Sequence, residues 1–241
     1  MAVDNEHDPY DLTGRTALIT GASRGIGRAI AEELASHGCA VALAARTADT
    51  VQQAAEAIEQ SGGRAVAIAA DVTEDGASER LVTETVSMLG GLDILINNAG
   101  GNSFSVPVAS MRLSGWSKTM ALNVDATVAL IQQALPHLAS SSYGVIVNVG
   151  SVAGLRGAPM MSHYGAAKAA IASLTRSVAL EAAHQGVRVN SLVPGWIETD
   201  LTDFLRVDEG TESSVLSRVP LGRWGRSEEI AHAALFLASD A

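Results

Sequence analysis

Short runs of consecutive apolar residues recur along this chain, separated by longer amphipathic stretches. The apolar runs occupy residues 16–20, 40–45, 65–69, 92–96, 144–149 and 187–193. None alternates apolar with polar, which is the pattern of strands buried on both faces. The intervening stretches 25–36, 49–61, 74–89, 113–138 and 162–184 repeat apolar residues at helical spacing. A β-α-β rhythm this regular predicts a Rossmann-type α/β fold, a doubly wound parallel sheet flanked by helices. No linker or composition break interrupts residues 12–241, so one domain is expected there, with residues 1–11 a loose polar leader. Hydrophobic residues make up 47% of the chain but aromatics only 4%, which leaves small and β-branched side chains to bring helix and sheet close.

Several function classes are disfavoured at once. A net charge of −10 argues against a nucleic-acid or anionic-membrane surface. The single cysteine, Cys39, excludes an intrachain disulfide and a zinc site built on several thiolates. Its small-apolar setting, Gly38-Cys39-Ala40-Val41, predicts a buried structural thiol. No run of about 18 apolar residues offers a membrane-spanning helix. The acidic start lacks the basic and apolar regions of a signal peptide, so a cytoplasmic protein is expected.

Ligands of an open parallel sheet bind beyond the carboxyl ends of its strands. Each chemical motif here falls directly after an apolar run. After the first comes Thr20-Gly21-Ala22-Ser23-Arg24-Gly25-Ile26-Gly27, which also opens the first helix. Glycines permit positive φ and close backbone approach, and a helix N-terminus presents unpaired N–H groups. Together they suit a pyrophosphate, although the spacing is G-x-x-x-G-x-G rather than the general G-x-G-x-x-G. The second run ends Ala44-Ala45-Arg46-Thr47, without the acid that would hold a ribose 2′-hydroxyl. Arg46 and Arg24 would instead meet a 2′-phosphate, so NADP(H) is expected over NAD(H). Arg24, a cation at a helix N-terminus, also calls for an anionic partner. Asp71-Val72 closes the third run, where the Asp either accepts from an adenine amino group or caps the following helix. Asn97-Asn98-Ala99-Gly100-Gly101 closes the fourth, as a polar turn under the cofactor ribose, a tight structural turn, or both.

Tyr164 and Lys168 lie four residues apart, one turn apart on one helix face. A neighbouring ammonium favours the phenolate and is expected to lower the Tyr164 pKa, making it a usable proton donor. Gly165, Ala166 and Ala167 between them leave room for something flat to lie there. His163 points elsewhere on the helix and is left out of the site.

With these residues in view, the chain resembles the short-chain dehydrogenase/reductase family from about Leu12 to Ala241. The matching pieces are Thr20-Gly21 through Gly27, Asn97-Asn98-Ala99-Gly100, Asn123, Ser151, Tyr164-x-x-x-Lys168 and Pro194-Gly195-x-Ile197-x-Thr199. The resemblance implies that Tyr164 is the general acid for carbonyl reduction and the base for alcohol oxidation. It implies that Lys168 binds the nicotinamide ribose, that Ser151 stabilises the substrate oxygen, and that Asn123 holds a water linking Lys168 to solvent. Pro194, Gly195, Ile197 and Thr199 would dock the nicotinamide carboxamide. No metal is implied, and a homo-oligomer, a dimer or tetramer built on the helices at 113–138 and 162–184, is.

Substrate is less sharply written. Gly150-Ser151-Val152-Ala153-Gly154 and Pro194-Gly195-Trp196-Ile197-Glu198-Thr199-Asp200 look closest to the 3-oxoacyl thioester reductase branch. The family's carrier-protein reductases have basic residues where this chain has Ser142 and Leu180, with Arg176 and Arg188 as partial substitutes. A small free carbonyl or a coenzyme A thioester is therefore as good a candidate. Ketones, sugars and steroid alcohols are the alternative substrates, and a non-catalytic NADP(H)-binding regulator the alternative class. Residues 199–219 are expected to form a loop-like lid with weak helical character, carrying Leu201, Phe204, Leu205 and Leu216 beside Trp196 over an apolar pocket. The family's usual seventh strand, after the helix ending Phe236-Leu237-Ala238-Ser239-Asp240, is expected to be missing.

Overall fold

The computed structural model describes residues 8–241; residues 1–7 of the expected leader and the side chain of Phe204 lie outside the described residues. Among the described residues, six parallel strands form one sheet in the order β3-β2-β1-β4-β5-β6. They are β1 (Thr16–Thr20), β2 (Ala40–Ala45), β3 (Arg64–Ala69), β4 (Ile94–Asn97), β5 (Val145–Val149) and β6 (Arg188–Leu192). Every position of β1, β2, β4 and β5 is buried. That is why their sequences are mostly apolar, with Thr16, Thr20, Asn97 and Asn148 the exceptions. β3 and β6 are the edges and are partly exposed.

Eight α-helices occur among the described residues, most of them flanking the sheet: α1 (Gly25–Ser36), α2 (Ala48–Gln60), α3 (Ala77–Leu89), α4 (Leu113–Met120), α5 (Ala126–Ser140), α6 (Ser162–Ala182), α7 (Glu209–Leu216) and α8 (Ser227–Ala238). One face packs Ile30 and Leu34 of α1, Val51 and Ile58 of α2 and Leu235 of α8 against the strands. The other packs Leu81 of α3, Leu130 and Ile131 of α5 and Val178 of α6. The chain winds outward in both directions from β1 and β4, which opens a crevice above their carboxyl ends. Cys39 is 1% exposed and burial drives its thiol pKa far up, as a structural thiol requires.

Buried polar groups tie the layers together. Asn97 of β4 pairs with Asn148 of β5 across the sheet, Nδ2 donating to Oδ1 at 2.9 Å. Asn148 in turn donates to Thr175 Oγ1 of α6 at 2.9 Å, and Thr175 donates to the Ile171 carbonyl. At the opposite end of the sheet, buried Arg15 pairs with Asp240 at 2.5 Å and lies 4.0 Å over the Tyr143 ring. Arg188 donates to the Leu237 and Ser239 carbonyls.

Three expectations are corrected. The stretch 113–138 is not one regular helix, because a wide π turn over Ala121–Asp125 separates α4 from α5. Residues 8–11 are not loose: Asp8 accepts from the Tyr10 N–H, and the Asp240 N–H donates to the Pro9 carbonyl. The segment at 199–219 is more ordered than a loop, with a 3-10 turn at Asp203–Leu205 and then α7, whose N-cap Asp208 accepts from Thr211 N at 2.9 Å.

Candidate active site

The crevice begins at the turn between β1 and α1. Gly21 and Gly25 have φ of +65° and +54°, which a side chain opposes. Gly27 has no room at all: an added Cβ would lie 2.4 Å from both Asn98 Nδ2 and the Gly21 carbonyl oxygen. Asn98 holds this turn from below, donating to the Thr20 and Gly21 carbonyls at 2.9 and 3.1 Å. Thr20 Oγ1 reciprocates by accepting from the Asn98 and Ala99 N–H groups. Asn98 thus fills the structural role expected of the turn after β4. No side chain caps α1, so its first-turn amides remain available to an anion. This is a cradle that fits a dinucleotide pyrophosphate.

The floor comes from α6 and the turn after β5. Gly154 and Gly165 let the two meet backbone to backbone; a Cβ on Gly165 would sit 2.9 Å from the Ala153 carbonyl, and one on Gly154 2.6 Å from the Lys168 carbonyl carbon. Gly165 and Ala167, both buried, therefore seat the helix, while Ala166 between them is exposed. Ser151 Oγ accepts from Ala153 N at 3.1 Å, which leaves its own O–H to turn toward Tyr164, whose phenolate it favours. Lys168 Nζ donates to the Val149 carbonyl at 2.8 Å. Gly100 passes directly above: its added Cβ would meet Asn123 Oδ1 at 2.7 Å and Lys168 Nζ at 3.1 Å. Asn123, buried in the wide turn, clamps Gly101 by accepting from its N–H and donating to its carbonyl, both at 3.0 Å, and donates to the Thr119 carbonyl too.

The protonation states differ from the sequence expectation. Burial raises the Tyr164 pKa above the ordinary phenol value, and the Ser151 hydrogen bond offsets only part of the rise. Lys168 does not depress it. Its ammonium sits 5.7 Å from the Tyr164 ring centroid, is directed at the Val149 carbonyl, and is itself pulled down to about 8 by burial. At neutral pH Tyr164 holds its proton and Lys168 is mostly charged.

The cleft encloses about 380 Å³ between the glycine turn, the floor and the segment after β6. Of the residues expected to bind cofactor or act in catalysis, Gly21, Arg24, Gly25, Ile26, Gly27, Asn98, Gly100, Ser151, Tyr164, Lys168, Pro194, Gly195, Ile197 and Thr199 line it. Ser23, Arg46, Asp71, Val72, Ala99 and Asn123 do not. Arg46 stands exposed beyond β2; the Asp71 pKa is lowered chiefly by hydrogen bonds from Thr73, with the Arg46 charge the least of the causes. Asp71 caps the turn that follows, not a helix: its Oδ1 accepts from Thr73 N and Oγ1 at 2.9 and 2.7 Å. Val149 and Thr202 line the cleft without having been named for it, and Gly101, Gly150, Asp200 and Leu201, named within motifs or the lid but given no cofactor or catalytic role of their own, line it too. Most flank a recognised motif by one or two positions, which was the available signal. Asp200 also supplies the anion Arg24 required, at 2.7 Å across the cleft mouth. Among the described residues, no three His, Cys, Asp or Glu side chains gather as metal ligands, and no helix is long and apolar enough to cross a membrane.

A doubly wound sheet with a glycine cradle at its switch point and a Ser-Tyr-Lys floor beside it defines a dinucleotide-dependent oxidoreductase. Comparison with known proteins agrees. A family model described as enoyl-(acyl carrier protein) reductase matches residues 21–241. The cis-4-hydroxycyclohexanecarboxylate dehydrogenase of Sinomonas cyclohexanicum is 37% identical over 227 residues, 94% of this chain and 90% of that protein. The 3-oxoacyl-[acyl-carrier-protein] reductase of Haemophilus influenzae is 38% identical over 230 residues, 95% and 92% respectively. A crystal structure from Beutenbergia cavernae, described as an NAD(P)-dependent gluconate 5-dehydrogenase with NADP bound at low occupancy, superposes with a TM-score of 0.92 at 36% identity, covering 97% of this chain and 93% of that one. The chain belongs to the short-chain dehydrogenase/reductase family and is an oxidoreductase acting on alcohol or carbonyl groups.

Proposed function

We propose that this protein reduces a carbonyl with NADPH, with a 3-oxoacyl thioester as the first candidate substrate. The observation that carries this reading is the meeting of Ser151, Tyr164 and Lys168 in one cleft with the glycine cradle. A bound nicotinamide supplies the hydride. The Ser151 hydroxyl orients the carbonyl oxygen, and Tyr164 Oη passes its proton to that oxygen as charge develops there. The Lys168 ammonium then faces a phenolate, the form it stabilises best. A Tyr164 pKa raised by burial keeps the proton in place until that moment. Both amide donors of Asn123 are committed to carbonyls, so a water relay to Lys168 falls to its remaining oxygen lone pair or to backbone.

Preference for NADPH rests on Arg46 at the end of β2, where no acid stands. Carrier-protein docking is weakened further than the sequence suggested. Leu180 is 82% exposed where a basic residue is needed, and Arg188 is occupied by the carbonyls at the end of α8. Exposed Leu113 and Leu180 support self-association through α4 and α6. A second reading, oxidation of a small hydroxy acid, is favoured by the names of two similar proteins, a hydroxycyclohexanecarboxylate and a gluconate dehydrogenase.

The test is loss of NADPH absorbance with acetoacetyl coenzyme A, run beside NADP⁺ reduction with gluconate and 4-hydroxycyclohexanecarboxylate. Turnover of the thioester alone supports the first reading, and turnover of the acids alone replaces it with the second. Tyr164→Phe is expected to cost at least about 1000-fold in kcat with NADPH binding intact. Arg46→Asp is expected to move the NADPH/NADH affinity ratio toward NADH. An unchanged ratio removes Arg46 from the phosphate site.

A further inference from the structure

His163 is the residue before Tyr164 and is 0% exposed. It does not line the cleft. Its imidazole lies flat on Phe104, ring centroids 4.0 Å apart and planes 5° from parallel, and its Nε2 is 2.9 Å from Asn102 Oδ1. An amide oxygen only accepts, so Nε2 carries the proton and donates, and Nδ1 is left bare in a buried setting. Burial pushes the His163 pKa down, outweighing an opposing pull from the Phe104 backbone, in keeping with a neutral ring.

The loop His163 holds is the wall of the reaction cleft. It starts at Gly100 and Gly101, which line the cleft and pass over Lys168 and Asn123. Asn123 fixes it at Gly101. The Val106 N–H fixes it again, donating to the Met160 carbonyl at 2.8 Å just before α6. Between those anchors lie Asn102 and Phe104, and both rest on His163. Phe104 reaches that position because α4 carries Gly115 there, where an added Cβ would stand 3.0 Å from the Phe104 ring. One imidazole thus joins the wall, through a hydrogen bond and a stacked ring, to the helical turn that presents Tyr164.

We propose that His163 is a positioning residue that sets the height of the wall at Gly100–Asn102 over Lys168, one turn from Tyr164 on the same helix, and so the alignment of the substrate carbonyl with its proton donor. Rigid support of this kind governs how much of a bound substrate is aligned for reaction. The stacked ring supplies bulk, and the Nε2 donor fixes register. Loss of the donor is the more damaging, because it leaves the Asn102 amide without its partner under the loop. The proposal rests on Tyr164 being the proton donor.

Three variants test it. His163→Gln keeps an N–H donor at the position of Nε2, His163→Phe keeps a flat ring without the donor, and His163→Ala keeps neither. In His163→Ala and His163→Phe, kcat on whichever carbonyl the wild type reduces is expected to fall about 10- to 100-fold, with KM for NADPH within about twofold. His163→Gln is expected to recover to within about fivefold of wild type. Hydrogen exchange needs no substrate: amides 100–104 should exchange faster in the Ala and Phe variants and stay protected in the Gln variant. Full activity and protection in His163→Phe, or a Gln variant as damaged as Ala, overturns the proposal. A parallel fall in NADPH binding also overturns it, by making His163 a general support. Tyr164→Phe, assayed alongside, separates the premises: if it stays active, the proton donor is misassigned whatever the His163 series does.

Discussion

Two sides of the cleft, the cradle and the segment after β6, are built on different physics. The cradle between β1 and α1 is shaped by steric exclusion: Gly27 has no room for a methyl group, Gly21 and Gly25 adopt positive φ, and Asn98 ties the turn to the sheet. The segment after β6 is held on the solvent side by ion pairs. Arg24 pairs with Asp200 across the cleft mouth, Arg206 with Glu198 and Asp203, and Arg223 with Glu229. Both partners of the Arg24–Asp200 pair are more than half exposed. Exposed pairs contribute about 0–1 kcal/mol each and are screened by salt. Excluded volume is indifferent to salt. One wall is therefore fixed and the other yields, which suits a site that must keep a large cofactor aligned yet admit and release it.

The sharpest way to break this contrast is at the fixed wall. Gly27→Ala places a methyl group 2.4 Å from two polar atoms, and neither the Asn98 amide nor the Gly21 backbone can withdraw freely. It is expected to destabilise the protein by roughly 2–4 kcal/mol and to weaken NADPH binding about 100-fold or more. Denaturant unfolding and a fluorescence titration measure the two. Lys168→Met probes the floor between the walls. The fall of the Lys168 pKa from 10.5 to about 8, at about 1.4 kcal/mol per tenfold, is a penalty on the charged form of about 3 kcal/mol. With its folded pKa below its unfolded one, Lys168 costs stability most below pH 8, and the cost fades as pH rises toward 10.5. The Met variant should be inactive, more stable than wild type at pH 7, and close to it at pH 10. A constant difference across that range shows the burial cost to be wrongly assigned. Asn98→Ala follows, expected to cost about 2 kcal/mol for two carbonyls left without their donor. Asp200→Asn should matter least. A change in NADPH affinity below about threefold is expected, vanishing in high salt. A large, salt-independent loss would place the yielding wall among the fixed ones.

The same division governs what could be read beforehand. Strands β1 and β2 and helix α1 match their sequence ranges residue for residue, because periodicity and glycine spacing are local. The cradle was legible for that reason. The wide turn at Ala121–Asp125 was not, since nothing local in Ala121-Leu122-Asn123-Val124-Asp125 opposes a regular helix. Its cause is the distant clamp of Asn123 on Gly101. The partnership of Arg24 with Asp200 joins residues 176 apart and left no trace in pattern. The Tyr164 pKa was misread because helical spacing reports which side chains are neighbours and says nothing of the water removed from around both.

The Asn97–Asn148–Thr175 chain has a consequence for how the protein reaches its fold. β4 and β5 are buried on both faces, so sliding one past the other by a residue exchanges one apolar side chain for another. Alternation cannot reject such an error. The two asparagines can, because a slipped pairing parts them and leaves their amides in a dry interior without partners. Thr175 carries the check into α6, so a strand pairing accepted by the amides also fixes the helix that bears Tyr164 and Lys168. Misassembly is thereby made costly in two strands that cannot detect it by alternation alone.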